Sequence, residues 1–115
     1  AIIPVPLHPR KLRQRGYNQS TKFGEGLAEI LQKPLLNKAL TRTRYTGSQT
    51  RLGRWHRVEN VASAFDLQLS TEIQGKHLLL VDDILTTGAT LEACAQQLLG
   101  VPGVRVSMAT IGFAR

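Results

Sequence analysis

The run His77–Val81 is apolar without interruption and leads into two adjacent acids, Asp82-Asp83, then Ile84-Leu85 and the string Thr86-Thr87-Gly88-Ala89-Thr90. An unbroken apolar run bounded by Gly75 behind and carboxylates ahead is what a central parallel strand requires, because such a strand is buried on both faces and does not alternate. A threonine- and glycine-rich loop opening a helix is the outline of a phosphate site. The first amides of a helix lack intrahelical partners and carry partial positive charge, and they bind phosphate. Gly88 permits close backbone approach and φ > 0. Thr86, Thr87 and Thr90 add hydroxyl donors, and consecutive amides in such a loop form an anion nest. Two carboxylates would repel a bare phosphate. They suit a ligand that carries hydroxyls beside its phosphate, as a ribose 5-phosphate does at its 2′ and 3′ positions. The lysine-bearing loop G-x-x-x-x-G-K-[ST] is absent.

The remaining elements are read from periodicity and punctuation. Ile2–Val5 predicts a first strand ending at Pro6. Leu7–Gln19, basic and broken by Pro9 and Gly16, predicts a loop. Asn18 or Ser20 then caps a helix, in which Phe23, Leu27, Ile30 and Leu31 share one face and which Lys33-Pro34 ends. Leu35–Leu40 predicts a second strand. Thr41–Asn60 is polar, arginine-rich and poor in core residues, as functional loops are, with a short helix over Leu52–Val58. Ala64–Leu69 predicts a strand. Thr87 or Thr90 opens a helix whose Leu91, Cys94, Ala95, Leu98 and Leu99 share a face, and Gly100, Pro102 and Gly103 end it. Val104–Phe113 predicts the last strand, with Val104, Val106, Met108 and Ile111 inward. Strands and helices alternate, so the fold class is α/β, a mainly parallel twisted sheet flanked by helices. Ligands of such sheets sit at the carboxyl ends of the strands. That directs attention to the loops Leu7–Gln19, Thr41–Asn60 and Ile84–Ala89.

Composition narrows the class. At 115 residues, 42% hydrophobic and 20% charged, the chain suits one ordinary globular domain. No apolar run reaches the ~20 residues needed to cross a bilayer, and Ala1–Leu7 is too short for a signal peptide. No membrane association and a cytoplasmic location are therefore expected. Cys94, the one cysteine, excludes an internal disulfide or a cysteine-built zinc cluster within the chain. Cys94 is expected in the core. The net charge of +7 is concentrated in Arg10, Lys11, Arg13 and Arg15 and in Arg42, Arg44, Arg51, Arg54 and Arg57. Such clusters suit a polyanion, either a nucleic acid or a phosphorylated small molecule, and also fit a plain solvated surface. Trp55 beside Arg54, His56 and Arg57 either stacks on a base or anchors its loop to the body. The chain opens on a strand-like run without an initiator methionine and reads as a C-terminal fragment of a longer protein.

Leu78–Thr90 resembles, at every position, the signature of the type I phosphoribosyltransferases. Ile3–Ser20, IPVPLHPRKLRQRGYNQS, together with Gln49, Arg57, Asn60-Val61 and Phe65, resembles one subfamily of them, the ComF/GntX-type proteins linked to competence for DNA uptake. The likeness covers essentially the whole chain and implies a single phosphoribosyltransferase-like domain over residues 1–115, Rossmann-like, with the base-reading hood reduced or absent. It implies 5-phosphoribosyl 1-diphosphate as ligand and Mg²⁺ as cofactor. Asp82 and Asp83 would bind the ribose hydroxyls directly or through Mg²⁺, the metal being held by the carboxylates themselves or through water in its shell. Thr86, Thr87, Gly88, Ala89 and Thr90 would hold the 5-phosphate. Leu7, His8, Pro9 and Arg10 correspond to the pyrophosphate loop, and Thr43–Leu52 to the mobile catalytic loop that closes over the site. Asp82, Asp83 and Arg51 are the expected catalytic residues, with Arg10 and Arg44 as further diphosphate contacts.

Two functions of different kind follow from the resemblance and the charge. One is transfer of the phosphoribosyl group to an unidentified acceptor with release of pyrophosphate. The other is a non-catalytic adaptor that senses the same ligand or contacts single-stranded DNA or a competence helicase. An edge strand near the start could also pair with a preceding segment or with a second copy, giving a dimer.

Overall fold

A computed structural model describes residues 1–43 and 64–114. In chain order the elements are β1 (Ile2–Pro4), α1 (Pro9–Arg15), α2 (Gln19–Leu31), β2 (Leu40–Arg42), β3 (Phe65–Leu67), α3 (Ser70–Ile73), β4 (His77–Leu85), α4 (Ala89–Leu99) and β5 (Arg105–Phe113). The expected α/β class holds. β4 is the middle strand of a three-stranded sheet, parallel to β1 on one side and to β5 on the other. A separate antiparallel ribbon pairs β2 with β3.

The apolar run of β4 is buried on both faces. Leu78, Leu80 and Val81 are all inaccessible to solvent, each burial contributing about 1.5–3 kcal/mol. Alternation along the strand divides the core in two. Leu78 and Leu80, with Ile3 of β1, join Leu91, Cys94 and Leu98 of α4 and Phe65 of β3 in one cluster. Val81 and Ile2 face the opposite way, toward α2. There Gly24 lets the helix approach closely: a Cβ at that position would stand 3.0 Å from Leu35 Cδ1 and 3.4 Å from Val81 Cγ2. The sheet is thus covered by α2 on one side and by α4 with the β2–β3 ribbon on the other.

Several expectations are corrected. Leu7–Gln19 is not all loop, because α1 occupies Pro9–Arg15. His8 caps it by accepting from the Arg10 amide, Pro9 stands in its first turn, and Gly16 closes it at φ 87°. None of its residues is buried, so periodicity carried no signal. Asn18, not Ser20, caps α2. The buried positions of that helix are Ser20 and Gly24, while Ile30 and Leu31 are exposed, because a closely seated helix needs small residues at the contact. The expected strand Leu35–Leu40 touches β1 through a single bridge, Leu35 to Ile2, and becomes a strand only from Leu40. α4 is capped by Gly88, at φ 84°, and not by Thr87 or Thr90. Leu99 of α4, and Met108 and Ile111 of β5, are exposed where an inward setting was expected. Met108 and Ile111 lie on β5, which is an end strand of its sheet among the described residues. Ile2–Val5, Ala64–Leu69 and Val104–Phe113 appear as β1, β3 and β5 with boundaries shifted by a residue or two, and Cys94 is fully buried as expected. The helix expected over Leu52–Val58 lies outside the described residues. No helix among the described residues is long and apolar enough to cross a membrane.

Candidate functional site

The carboxyl ends of β1 and β4, the first turn of α4, the α1–α2 turn and the end of β2 meet around a cavity of about 170 Å³. Its walls are Val5, Pro6 and Leu7 after β1, Arg15 at the end of α1, Asn18 from the turn, Ser20 of α2, Arg42 of β2, Asp82 and Asp83 of β4, and Thr90 of α4. Two aspartates and two arginines are therefore among the residues that border one small space.

Local bonding holds these groups in place. Asn18 works in two directions: its Nδ2 donates to the Val5 carbonyl at 3.0 Å, and its Oδ1 accepts from the Ser20 amide at 3.0 Å. The cap of α2 is thereby tied to the end of β1. Ser20 Oγ then donates to Asp82 Oδ1 at 2.8 Å, and the Asp83 amide donates to the same oxygen at 2.9 Å. Asp83 Oδ1 accepts from the Ile84 amide at 2.8 Å. Arg15 Nη1 donates to Gln19 Oε1 at 3.3 Å. The Arg42 guanidinium lies over the Phe65 ring.

Burial dominates the electrostatics. It raises the Asp82 carboxyl above the ordinary value, while the bonds from Ser20 and the Asp83 amide favour the ionised form and oppose the rise. It lowers the Arg42 guanidinium, against the pull of the Cys94 thiol and of Asp82. It pushes the Cys94 thiol up to about 12, with Asp82 adding to the shift. Asp82 therefore sits where its charge is felt by both Arg42 and Cys94.

Of the residues expected at the site, Asp82, Asp83, Thr90 and Leu7 share the cavity. Thr86 and Thr87 are exposed on the loop before α4, where Thr87 Oγ1 accepts from the Ala89 amide at 3.2 Å. Gly88 and Ala89 are half-buried at the helix start. His8 is engaged as the cap of α1. Pro9 lines a neighbouring groove of about 370 Å³, which shares Pro6, Leu7, Asn18 and Arg42 with the cavity. Arg10 is exposed on α1 and does not line the cavity. Arg44 and Arg51 lie outside the described residues.

Sequence reasoning missed Arg15, Ser20 and Arg42 as cavity residues. Arg15 and Arg42 belonged to basic clusters already recognised, but only the fold selects them from their neighbours. Ser20 is the one buried polar side chain among the described residues.

The donor set suits a hard divalent cation such as Mg²⁺, which typically takes one or two carboxylates and completes its shell with water and substrate oxygens. Asp82 and Asp83 offer two carboxylates at one cavity. Among the described residues no group of three or more His, Cys, Asp or Glu side chains could enclose a metal unaided. Water and ligand oxygens would complete the shell around such an ion.

Residues 19–114 match the family described as phosphoribosyl transferase domain. The chain is 40% identical over 107 residues to the DNA utilization protein YhgH of Escherichia coli strain K12, covering 91% of this chain and 46% of that protein. It is 38% identical over 109 residues to competence protein F of Haemophilus influenzae, covering 92% and 48% respectively. To competence protein ComFC of Bacillus subtilis it is 30% identical over 100 residues, covering 85% and 38%. The chain thus spans somewhat less than half the length of these relatives.

Proposed function

The chain belongs to the phosphoribosyl transferase domain family, as a type I member of the ComF kind, and from that premise we propose that it binds 5-phosphoribosyl 1-diphosphate with Mg²⁺ and transfers the phosphoribosyl group to an acceptor. The observation that carries this reading is the meeting of Asp82, Asp83, Thr90, Arg15 and Arg42 around one cavity at the carboxyl ends of parallel strands.

The chemistry asks for two kinds of charge. As the bond from C1 to the diphosphate oxygen breaks, the leaving group departs with the electron pair and the sugar becomes cationic. The acceptor's nucleophilic atom then bonds to C1. Asp82 and Asp83 bind the ribose hydroxyls and place negative charge near the ring. Arg15 and Arg42 meet the growing charge of the diphosphate, for which the planar guanidinium is suited because it donates in pairs. The loop Thr86–Thr90 takes the 5-phosphate on its amides and hydroxyls. Asp82 and Asp83 would hold Mg²⁺, which would supply positive charge against the diphosphate. Preorganised groups of this kind act without reorganising during the reaction.

Calorimetry with 5-phosphoribosyl 1-diphosphate and Mg²⁺ tests the proposal. Wild-type protein binds. Asp82→Asn with Asp83→Asn loses about a hundredfold or more in affinity, since each hydrogen bond to a charged group contributes about 1.5–3 kcal/mol. Absence of binding by the wild-type protein overturns the reading.

A second reading, an adaptor for single-stranded DNA or a competence helicase, draws on the relatives' names and the net charge of +7. Its DNA affinity would fall steeply with salt as counterions are released. Release of pyrophosphate with a candidate base separates the two.

A further inference from the structure

We infer that Ser20 is a positioning residue for this site: from the first turn of α2 it holds Asp82 Oδ1 and so presents Oδ2 of that carboxylate to the cavity. The inference rests on the proposed ribose-phosphate reading and adds to it a residue on a different element from the phosphate loop and its acids.

Ser20 is only 3% exposed. A serine in the first turn of a helix commonly turns its hydroxyl to nearby backbone. Here the hydroxyl crosses to another element and donates to a carboxylate at 2.8 Å. Asp82 Oδ1 already accepts from the Asp83 amide. With two donors on Oδ1, rotation of the carboxylate would break both bonds, which leaves Oδ2 as the oxygen set toward a ligand.

The serine is itself held from two directions. Asn18 binds the Ser20 amide with one end of its side chain and the Val5 carbonyl with the other. One turn further along α2, Gly24 seats the helix against Val81, the residue before Asp82. The length of the Ser20–Asp82 bond is thus set by a cap on one side and a close helix–strand contact on the other. A side chain delivered in this way orients its partner and does not itself meet the reacting atoms.

The test compares two probes, ribose 5-phosphate with Mg²⁺ and inorganic phosphate, on wild type, Ser20→Ala and Ser20→Thr. Binding is followed by calorimetry or by NMR titration, and folding by thermal melting. Ser20→Ala should weaken ribose 5-phosphate about tenfold or more, as expected for loss of a hydrogen bond to a charged group, while inorganic phosphate binding changes by less than about twofold. Ser20→Thr, which keeps the hydroxyl, should recover most of the loss. Equal weakening of both probes makes Ser20 a purely structural residue and overturns the inference. Unchanged ribose 5-phosphate affinity in Ser20→Ala overturns it as well, while leaving the proposed function standing. If wild type binds neither ribose 5-phosphate nor 5-phosphoribosyl 1-diphosphate, the proposed function falls and the inference falls with it. Should Ser20→Thr fail to fold, the probe ratio in Ser20→Ala decides alone.

Discussion

Arg42 and Phe65 are direct partners across the β2–β3 ribbon, and the guanidinium carbon of Arg42 stands 5.2 Å from the centre of the Phe65 ring. Phe65 is 1% exposed and belongs to the main core, whereas Arg42 lines the cavity. A core aromatic therefore lies against a cation of the candidate site. Phe65→Leu should lower stability by about 1–3 kcal/mol, from lost packing and lost cation–π attraction. It should also weaken 5-phosphoribosyl 1-diphosphate more than ribose 5-phosphate. Urea unfolding and competition binding measure the two effects. An unchanged ratio of the two affinities would separate the ring from any part in placing the guanidinium.

The raised Asp82 carboxyl has a consequence for stability. A carboxyl with a higher value in the folded than in the unfolded protein makes the folded state bind protons more tightly. Stability then declines as pH climbs from the ordinary aspartate value, 3.8, through the raised one. Asp82→Asn should remove this decline and leave the protein at least as stable as wild type at neutral pH, while its ribose-phosphate affinity collapses. Thermal melting across pH 3 to 8 tests the sign. A variant less stable than wild type at neutral pH would contradict it.

Gly88 holds the entry to α4 at φ 84°, and a Cβ there would meet only Leu85 Cδ1 at an ordinary 3.8 Å. The obstacle to substitution is thus backbone strain and not crowding. Gly88→Ala should cost about 1–2 kcal/mol, and Gly88→Asn less, since asparagine tolerates the left-handed region. Chemical denaturation of the pair distinguishes strain from packing, because crowding would make the larger asparagine the worse of the two.

Cys94 is fully buried beneath the site and its thiol is pushed up to about 12. The thiolate is the reactive form. Alkylation of the folded protein near pH 8 should be slower than that of the urea-unfolded chain by well over tenfold. Rapid labelling under native conditions would place the thiol at the surface.

What the sequence disclosed follows from which signals are local. β4 was legible because a strand buried on both faces is written as consecutive apolar residues, and its two acids mark where burial ends. α1 was not, because a helix with no buried residue has no apolar stripe. Its marks were Pro9 at the start and Gly16 past the end, which also read as loop punctuation. The face of α2 was misjudged for a related reason. Close seating on the sheet selects Ser20 and Gly24 for their small size, whereas apolarity pointed to Ile30 and Leu31. At the site, Asp82, Asp83 and Thr90 were recognisable from adjacency in the chain. Ser20 and Arg42 were not, since their place depends on contacts between distant elements. The phosphate-loop threonines Thr86 and Thr87 remain assigned by chemistry and resemblance, with Thr90 the member of that loop that reaches the cavity.

The middle strand draws its two neighbours from very different distances along the chain. β5 follows β4 after a single helix, but β1 sits at the opposite end, with Ile2 beside Leu79 and Ile3 beside Leu80. Bringing those ends together costs more loop-closure entropy than the shorter β4–β5 connection does. The cavity needs both, since Val5, Pro6 and Leu7 come from one side of that closure and Asp82, Asp83 and Thr90 from the other. A ligand held there would bridge the two sides of that closure, and by mass action its binding would favour the state in which β1 is docked on the sheet.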